Sequence, residues 1–167
     1  MSEPQFVDPT VCRIVEFLKS IGVGVQAGSV PEVTVVPGIH IVAGELVVDE
    51  ARLTYPGDLL HEAGHVVVRP KDARESIHGD VGGHGGEEMA AMAWSYAASV
   101  QLGIDPAIVF HSGGYKGGSN MVLDCFAAGV EPLMGVPVLQ WMGMTADTKK
   151  AAELGVRPFP AMLRWTR

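Results

Sequence analysis

Apolar residues recur at helical spacing in the segment 10–21, which follows an acidic, proline-broken start of the chain. Intervals of three and four positions separate Val11, Ile14, Val15, Leu18 and Ile21. This periodicity predicts an amphipathic helix with one face in the core. Asp8 or Thr10 can cap its first turn, and Gly22 and Gly24 end it.

The segment 30–50 has a different pattern, "VPEVTVVPGIHIVAGELVVDE". It is rich in β-branched residues and is interrupted at Pro37-Gly38 and Ala43-Gly44, which predicts short strands joined by tight turns. His40 alternates with two isoleucines, so we expect it at a surface or edge position of the sheet.

Two helices are predicted in the middle of the chain. The first runs from "LLHEAGHVVV" to Arg69, with Asp58 as a candidate cap and Pro70 as its end. The second is "EEMAAMAWSYAASVQLG", which ends at Gly103. Between them, residues 71–86 are polar and glycine-rich and predict an exposed loop.

After Gly103 the pattern is less regular. A glycine-rich loop, "HSGGYKGGSN", precedes a predicted helix in "NMVLDCFAAG", and a short helix is expected at 148–154. Together the elements predict one α+β domain over 1–167, with a core at about 30–103 and an unassigned C-terminal extension at 104–167.

Composition narrows the possible partners and locations. The chain has 167 residues, of which 47% are hydrophobic, enough for a packed core. Its net charge of −7 argues against nucleic acid and gives no reason to expect a membrane surface as partner. Cys12 and Cys125 are far apart and predict free thiols in a reducing compartment. No signal peptide and no bilayer-spanning run is found, so we predict a cytoplasmic protein.

The stretch "LLHEAGHVVV" contains candidate chemistry. On a helix, His61 and His65 lie four apart and share one face, where two imidazoles can hold one zinc ion. Glu62 is rotated by about 100° around the axis and can act beside the metal as a general base. The alternative is two core histidines bonded to backbone carbonyls, since buried polar groups need partners.

A catalytic zinc site needs a third protein ligand. The extended metzincin motif is absent, because Val68 and Lys71 occupy its glycine and histidine positions. The gluzincin arrangement takes a glutamate from a following helix, and Glu87 and Glu88 begin such a helix. Periodicity does not decide between the two, because either one can face inward with small or apolar residues on its own helical face.

Several polar residues in loops are further candidates. His78, His84 and Asp80 could supply the third ligand, but their glycine-rich surroundings favour exposed loop positions. A zinc peptidase also needs a donor for the developing oxyanion. Tyr115 and His111 are candidates on a flexible segment, although an ordinary surface loop is the simpler expectation.

The segment "LVVDEARLTYPGDLLHEAGHVVV" resembles the strand, turn and H-E-x-G-H helix of the IrrE/ImmA-type metallopeptidase-like domains. "EEMAAMAWSYAA" is similar to their second helix, which carries an E-x-x-A-x-x-aromatic pattern. Placing Ala91 and Trp94 on that pattern selects Glu88 over Glu87. The likeness covers about residues 30–100, and the N-terminal DNA-binding helix-turn-helix that some members of the family carry has no counterpart in this sequence.

The resemblance implies a zincin-like fold, in which a small sheet packs on the HExxH helix and on a following ligand-bearing helix. It implies that Zn²⁺ is held by His61, His65 and Glu88, with Glu62 as the general base. The expected function is a gluzincin-type metallopeptidase that hydrolyses a peptide bond in a peptide or protein substrate. The alternatives are a non-catalytic regulatory or interaction module that retains a zinc site, and a metal-free domain.

Two interactions are expected beyond the site. An exposed strand within 33–48 could bind an extended peptide by β-augmentation. The apolar tail around Trp141 and Trp165 could bury against a second copy, which makes a homo-oligomer a candidate assembly.

Overall fold

The computed structural model describes residues 5–81 and 84–167, and it is an α+β fold with a small mixed sheet. The predictions for the N-terminal segment and for the glycine-rich loop include residues 1–4 and 82–83, which lie outside the described residues. The strands are β1 (Val25–Ala27), β2 (Ile39–Val42) and β3 (Glu45–Val48). The helices are α1 (Pro9–Ser20), α2 (Asp58–Val67), α3 (Gly85–Leu102), α4 (Pro106–Val109), α5 (Ser119–Ala128), α6 (Val136–Trp141) and α7 (Thr148–Leu154).

The sheet is built around β3, which pairs in parallel with β1 and antiparallel with β2. The predicted turn between β2 and β3 is confirmed. Its two residues, Ala43 and Gly44, have φ of 51° and 76°, the left-handed conformation that two-residue hairpins favour. The expectation of strands from residue 30 onward is wrong for 30–38, which contributes only an isolated bridge between Val36 and Ile39.

Helix α1 forms where the apolar periodicity predicts it. Asp8 is its cap, and the Asp8 carboxylate accepts hydrogen bonds from the backbone N–H groups of Thr10 and Val11. The helix ends at Ser20, and Gly22 follows with a φ of 86°. Its buried face consists of Val11, Ile14, Val15 and Leu18.

Helices α2 and α3 pack closely against each other inside the core. The helices approach closely at Gly64, where a Cβ atom would lie 2.9 Å from the carbonyl oxygen of Ala91. The apolar residues of α2 are buried, as expected, and so are nine of the eighteen residues of α3. The predicted loop between the helices differs from expectation at Lys71–Ser76, which forms a 3₁₀ helix with no buried residue.

The C-terminal segment returns to this helix pair. The indole N–H of Trp94 donates to the carbonyl oxygen of Trp165 at 3.0 Å, and the Trp165 ring stands edge-on to Phe17 with centroids 5.0 Å apart. Trp165 therefore packs within the chain, whereas Trp141 is 75% exposed.

Two further expectations can be compared with the described residues. Both cysteines are free and partly buried. Among residues 5–81 and 84–167, none of the helices has the length and hydropathy needed to cross a membrane.

Candidate metal centre

Three side chains from α2 and α3 lie close together, and we call this cluster of His61, His65 and Glu88 the centre. His65 Nε2 lies 2.9 Å from Glu88 Oε2, and His61 Nε2 lies 3.2 Å from Glu88 Oε1. The two Nε2 atoms are 3.2 Å apart. One donor atom from each residue can be chosen so that all three lie within 4.8 Å of one another.

Local structure explains this convergence. Residues four apart share a helix face, so both imidazoles of α2 point toward α3, and their rings meet edge-on with centroids 4.8 Å apart. The close approach at Gly64 brings the first turn of α3 alongside them. The donors are thus carried by two core helices and not by loops.

The donor set suits a divalent cation. Hydrogen bonds from His61 and His65 hold the pKa of Glu88 well below its usual range, so this carboxylate is anionic. Burial alone would lower the pKa of His65, but its hydrogen bond and charge interaction with Glu88 raise it. Two imidazoles and one carboxylate are the protein ligands of many catalytic zinc sites, and the residues present fit that ion.

The two adjacent glutamates of α3 face different groups. Glu88 contacts both imidazoles, whereas Glu87 accepts from Arg69, whose Nε and Nη2 both lie 3.1 Å from Glu87 Oε1. The same Glu87 oxygen is 3.8 Å from His65 Nδ1. The two glutamates, between which helical periodicity does not decide, therefore have different neighbours: Glu88 lies against both imidazoles and Glu87 against Arg69.

Glu62 is a separate carboxylate on the wall of the same cavity. This cavity has a volume of about 500 Å³ and is also lined by the three donor residues. Glu62 is only 7% exposed, and burial raises its pKa, an effect that the charges of the two histidines partly oppose. It also borders a recess of about 100 Å³ beside β2.

Tyr115 lies beside the histidine and glutamate cluster, contrary to the simpler expectation of a surface loop. Its hydroxyl is 3.2 Å from His61 Nδ1, and burial, together with nearby carboxylates, raises its pKa so that it stays protonated. Tyr115 and Lys116 have φ of 56° and 52°, a left-handed conformation uncommon outside glycine. This backbone turn directs the ring into the cavity.

His111 also lines the cavity, but its ring is engaged elsewhere. Its Nε2 is 2.6 Å from Asp58 Oδ1, and the ring stacks on Tyr55 with centroids 3.6 Å apart. Asp58 was expected to cap α2. That expectation is wrong, because Gly57 takes the cap position, and the Asp58 carboxylate turns to His111 instead. Burial raises the pKa of Asp58, and His111 opposes this effect.

Sequence reasoning missed Asp58 and Tyr55 as neighbours of the centre. A signal for Asp58 was present, since it precedes His61 by three positions, and residues three apart share a helix face. No local signal marks Tyr55, because its partner His111 comes from a distant part of the chain.

The other loop candidates for a third ligand lie outside the cluster of donors. His78 Nδ1 accepts from the backbone N–H of Ala43 at 3.1 Å. His84 is exposed at the start of α3. Asp80 lines the cavity and the recess. Within residues 5–81 and 84–167, the grouping that can hold a metal consists of His61, His65 and Glu88.

Strand β2 lies at one edge of the sheet, next to the recess. Part of this edge is already hydrogen-bonded: the Ile41 carbonyl accepts from Gly79 at 2.8 Å, and the Ile39 N–H donates to Val36 at 3.2 Å. A peptide strand that pairs with β2, as β-augmentation would require, would have to compete with these bonds.

Comparison with protein family models, with curated proteins and with solved structures gives no match for this chain. The resemblance to IrrE/ImmA-type domains therefore stays a prediction that rests on the motif residues. What can be said of function follows from the geometry of the centre.

Proposed function

We propose that this chain is a zinc-dependent metallopeptidase with a zincin-like fold, in which His61, His65 and Glu88 hold the metal. One observation carries the proposal. Three side chains that could hold a metal converge on the wall of a cavity of about 500 Å³ that is also lined by Glu62, a buried carboxylate outside this cluster. A site that only stabilised the fold would need neither an adjoining cavity nor this extra carboxylate.

Zinc bound at such a site polarises a carbonyl group and makes water a stronger acid at neutral pH. Glu62 supplies the proton transfer, since it borders the cavity and its pKa is raised by burial. It accepts a proton from the attacking water and delivers it to the leaving amine of the peptide.

Tyr115 supplies a hydrogen bond to the substrate. If His61 held the metal through Nε2, the proton of that ring would be on Nδ1 and would donate to the Tyr115 oxygen 3.2 Å away. The phenolic O–H is then available to donate to a carbonyl oxygen that gains negative charge in the cavity. His111 is less suitable for this role, because its Nε2 is engaged by Asp58.

Replacing Glu62 with Gln tests the proposal, because Gln keeps the size of the side chain but cannot accept the proton. We expect the wild-type protein, with about one equivalent of zinc, to cleave members of a peptide library. The variant should bind zinc equally well and cleave at least about 100-fold more slowly.

The same experiment separates the peptidase from a non-catalytic module that retains its zinc. If both proteins bind zinc and are equally inert toward the library, the peptidase proposal fails and the module remains. If the wild-type protein binds no zinc, both fail and the cluster is a pair of core histidines with a carboxylate partner.

A further inference from the structure

A buried nitrogen atom of His65 lacks a hydrogen-bond partner among the described residues. His65 Nε2 contacts Glu88 and His61, but His65 Nδ1 is fully buried and has no partner among the described residues. When a histidine binds a metal through Nε2, its proton is on Nδ1 and needs an acceptor. A buried N–H group without one would be destabilising.

Glu87 is the carboxylate beside this nitrogen. Its Oε1 lies 3.8 Å from His65 Nδ1, and its side chain is only 19% exposed. It directly precedes Glu88 on the first turn of α3. The two glutamates therefore approach the same imidazole from its two different nitrogens.

Arg69 holds Glu87 in this place. Both Nε and Nη2 of Arg69 lie 3.1 Å from Glu87 Oε1, and Nη2 also donates to the carbonyl oxygen of Val81 at 3.2 Å. The backbone of Arg69 is tied in turn, since its carbonyl oxygen accepts from Arg74 Nε at 3.1 Å. The carboxylate is thus oriented by a side chain that is itself anchored.

We propose that Glu87, held by Arg69, is a positioning residue whose carboxylate accepts a hydrogen bond from the Nδ1–H of His65, which keeps the proton on Nδ1 and leaves Nε2 free to bind the metal. This inference rests on the metal-binding part of the proposed function and not on peptide cleavage. It assigns different roles to two adjacent, chemically identical side chains: Glu88 binds the ion, and Glu87 orients the ligand.

The two histidines then differ in the charge of their outer partners. His61 Nδ1 faces the neutral hydroxyl of Tyr115, whereas His65 Nδ1 faces an anion. An anionic acceptor makes an imidazole a stronger ligand than a neutral one does. Loss of the Glu87 carboxylate should therefore weaken metal binding more than loss of the Tyr115 hydroxyl.

The affinity for Zn²⁺ tests this role without any substrate. We would measure it by competition with a chromophoric chelator for the wild-type protein, E87Q and E75Q. Glu75 is exposed on the neighbouring 3₁₀ helix, so E75Q removes the same charge away from the centre. We expect E87Q to bind Zn²⁺ about tenfold more weakly or worse, and E75Q to match the wild type. Equal affinities for all three proteins would overturn the proposal.

Nitrogen NMR of the zinc-loaded wild-type protein gives a second measurement, which decides the matter if E87Q does not fold. We expect the His65 proton on Nδ1, in slow exchange with water, and faster exchange in E87Q. A His65 proton on Nε2 would overturn the proposal. A protein that cleaves no peptide but shows the E87Q defect would refute the peptidase and keep this role; normal zinc binding by an active E87Q would do the reverse.

Discussion

At the scale of single residues, the hydroxyl of Tyr115 faces both His61 and the cavity. In the proposed peptidase, one oxygen atom would therefore orient His61 and also donate to the substrate. The hydrogen bond with His61 joins two neutral groups, so a water molecule can partly replace the hydroxyl there. Water replaces the donor to the substrate less well, because donors aimed at developing charge act mainly in the transition state.

Replacing Tyr115 with Phe removes only this hydroxyl. We expect kcat to fall about 100-fold with little change in KM, because the donor acts on charge that develops during the reaction. Steady-state kinetics on a cleaved peptide would measure this. Tyr96, which stacks on Phe126 away from the centre, offers a control: Y96F should leave both constants unchanged. A Y115F defect confined to KM would argue against the transition-state role.

At the scale of elements, helices α1, α2, α3, α5 and α7 were predictable from the sequence, whereas helices α4 and α6 and strand β1 were not. The apolar periodicity of α1 and α2 reflects one buried face, which a sequence displays directly. Strand β1 has three residues and one buried side chain, so it has no pattern to detect; it is held by backbone pairing with β3. In 30–38 the valines suggested a strand, yet Val33 is 87% exposed, and prolines remove backbone donors there.

The residues of the centre and its neighbours also differ in how far the sequence predicts their positions. The donors on α2 follow from a spacing of four along one helix, a local property. The position of Tyr115 beside His61 depends on how the chain after α3 folds back over the cavity, which no short-range pattern encodes. Likewise, the separate orientations of Glu87 and Glu88 depend on Arg69, a residue beyond the end of α2.

The packing of α2 on α3 can be tested at Gly64. A Cβ atom there would meet the carbonyl oxygen of Ala91 at 2.9 Å and its Cα at 3.2 Å, so G64A must push the two helices apart. We expect the free energy of unfolding to fall by about 1–3 kcal/mol. Zinc affinity should fall as well, because the donors lie on both helices. Urea unfolding and chelator competition measure the two effects.

Gly86, on the first turn of α3, provides the matched control. A Cβ atom there would meet nothing within 4 Å, so G86A should keep wild-type zinc affinity and leave stability unchanged or raise it by up to about 1 kcal/mol. If G64A behaved like G86A, the close helix contact would not be what sets the distance between the donors.

At the scale of the whole molecule, the C-terminal segment is part of the core that supports the centre. Trp165 stands edge-on to Phe17 and to Trp94, with centroids 5.0 Å and 5.8 Å away. Trp94 lies on α3, the helix that carries Glu88. The segment after Gly103, which sequence patterns left unassigned, therefore helps to hold the helix that bears the third donor.

Replacing Trp165 with Ala tests this support. We expect the free energy of unfolding to fall by about 2 kcal/mol, since a partly buried aromatic cluster loses one member. Trp141, which is 75% exposed and lies under Arg167, is the control, and W141A should change stability by less than about 1 kcal/mol. Denaturant unfolding measures both, and equal effects would contradict the packing described.

Trp141 is also an exposed aromatic side chain that could form part of the interface of the predicted homo-oligomer. Sedimentation of the wild-type protein and W141A over a range of concentrations would show whether this side chain contributes to association. Trp165 is less suited to that role, because its ring already packs within the chain.

The position of the three donors along the chain has a topological consequence. An ion held by His65 on α2 and by Glu88 on α3 would be a cross-link between two distant points of the polypeptide. It would close a loop that contains the 3₁₀ helix Lys71–Ser76, much as a disulfide closes a loop between two cysteines. The ion pair between Arg69 and Glu87 lies just inside the same closure. The residues that we propose to orient His65 therefore also form a second contact across the loop that the metal would close.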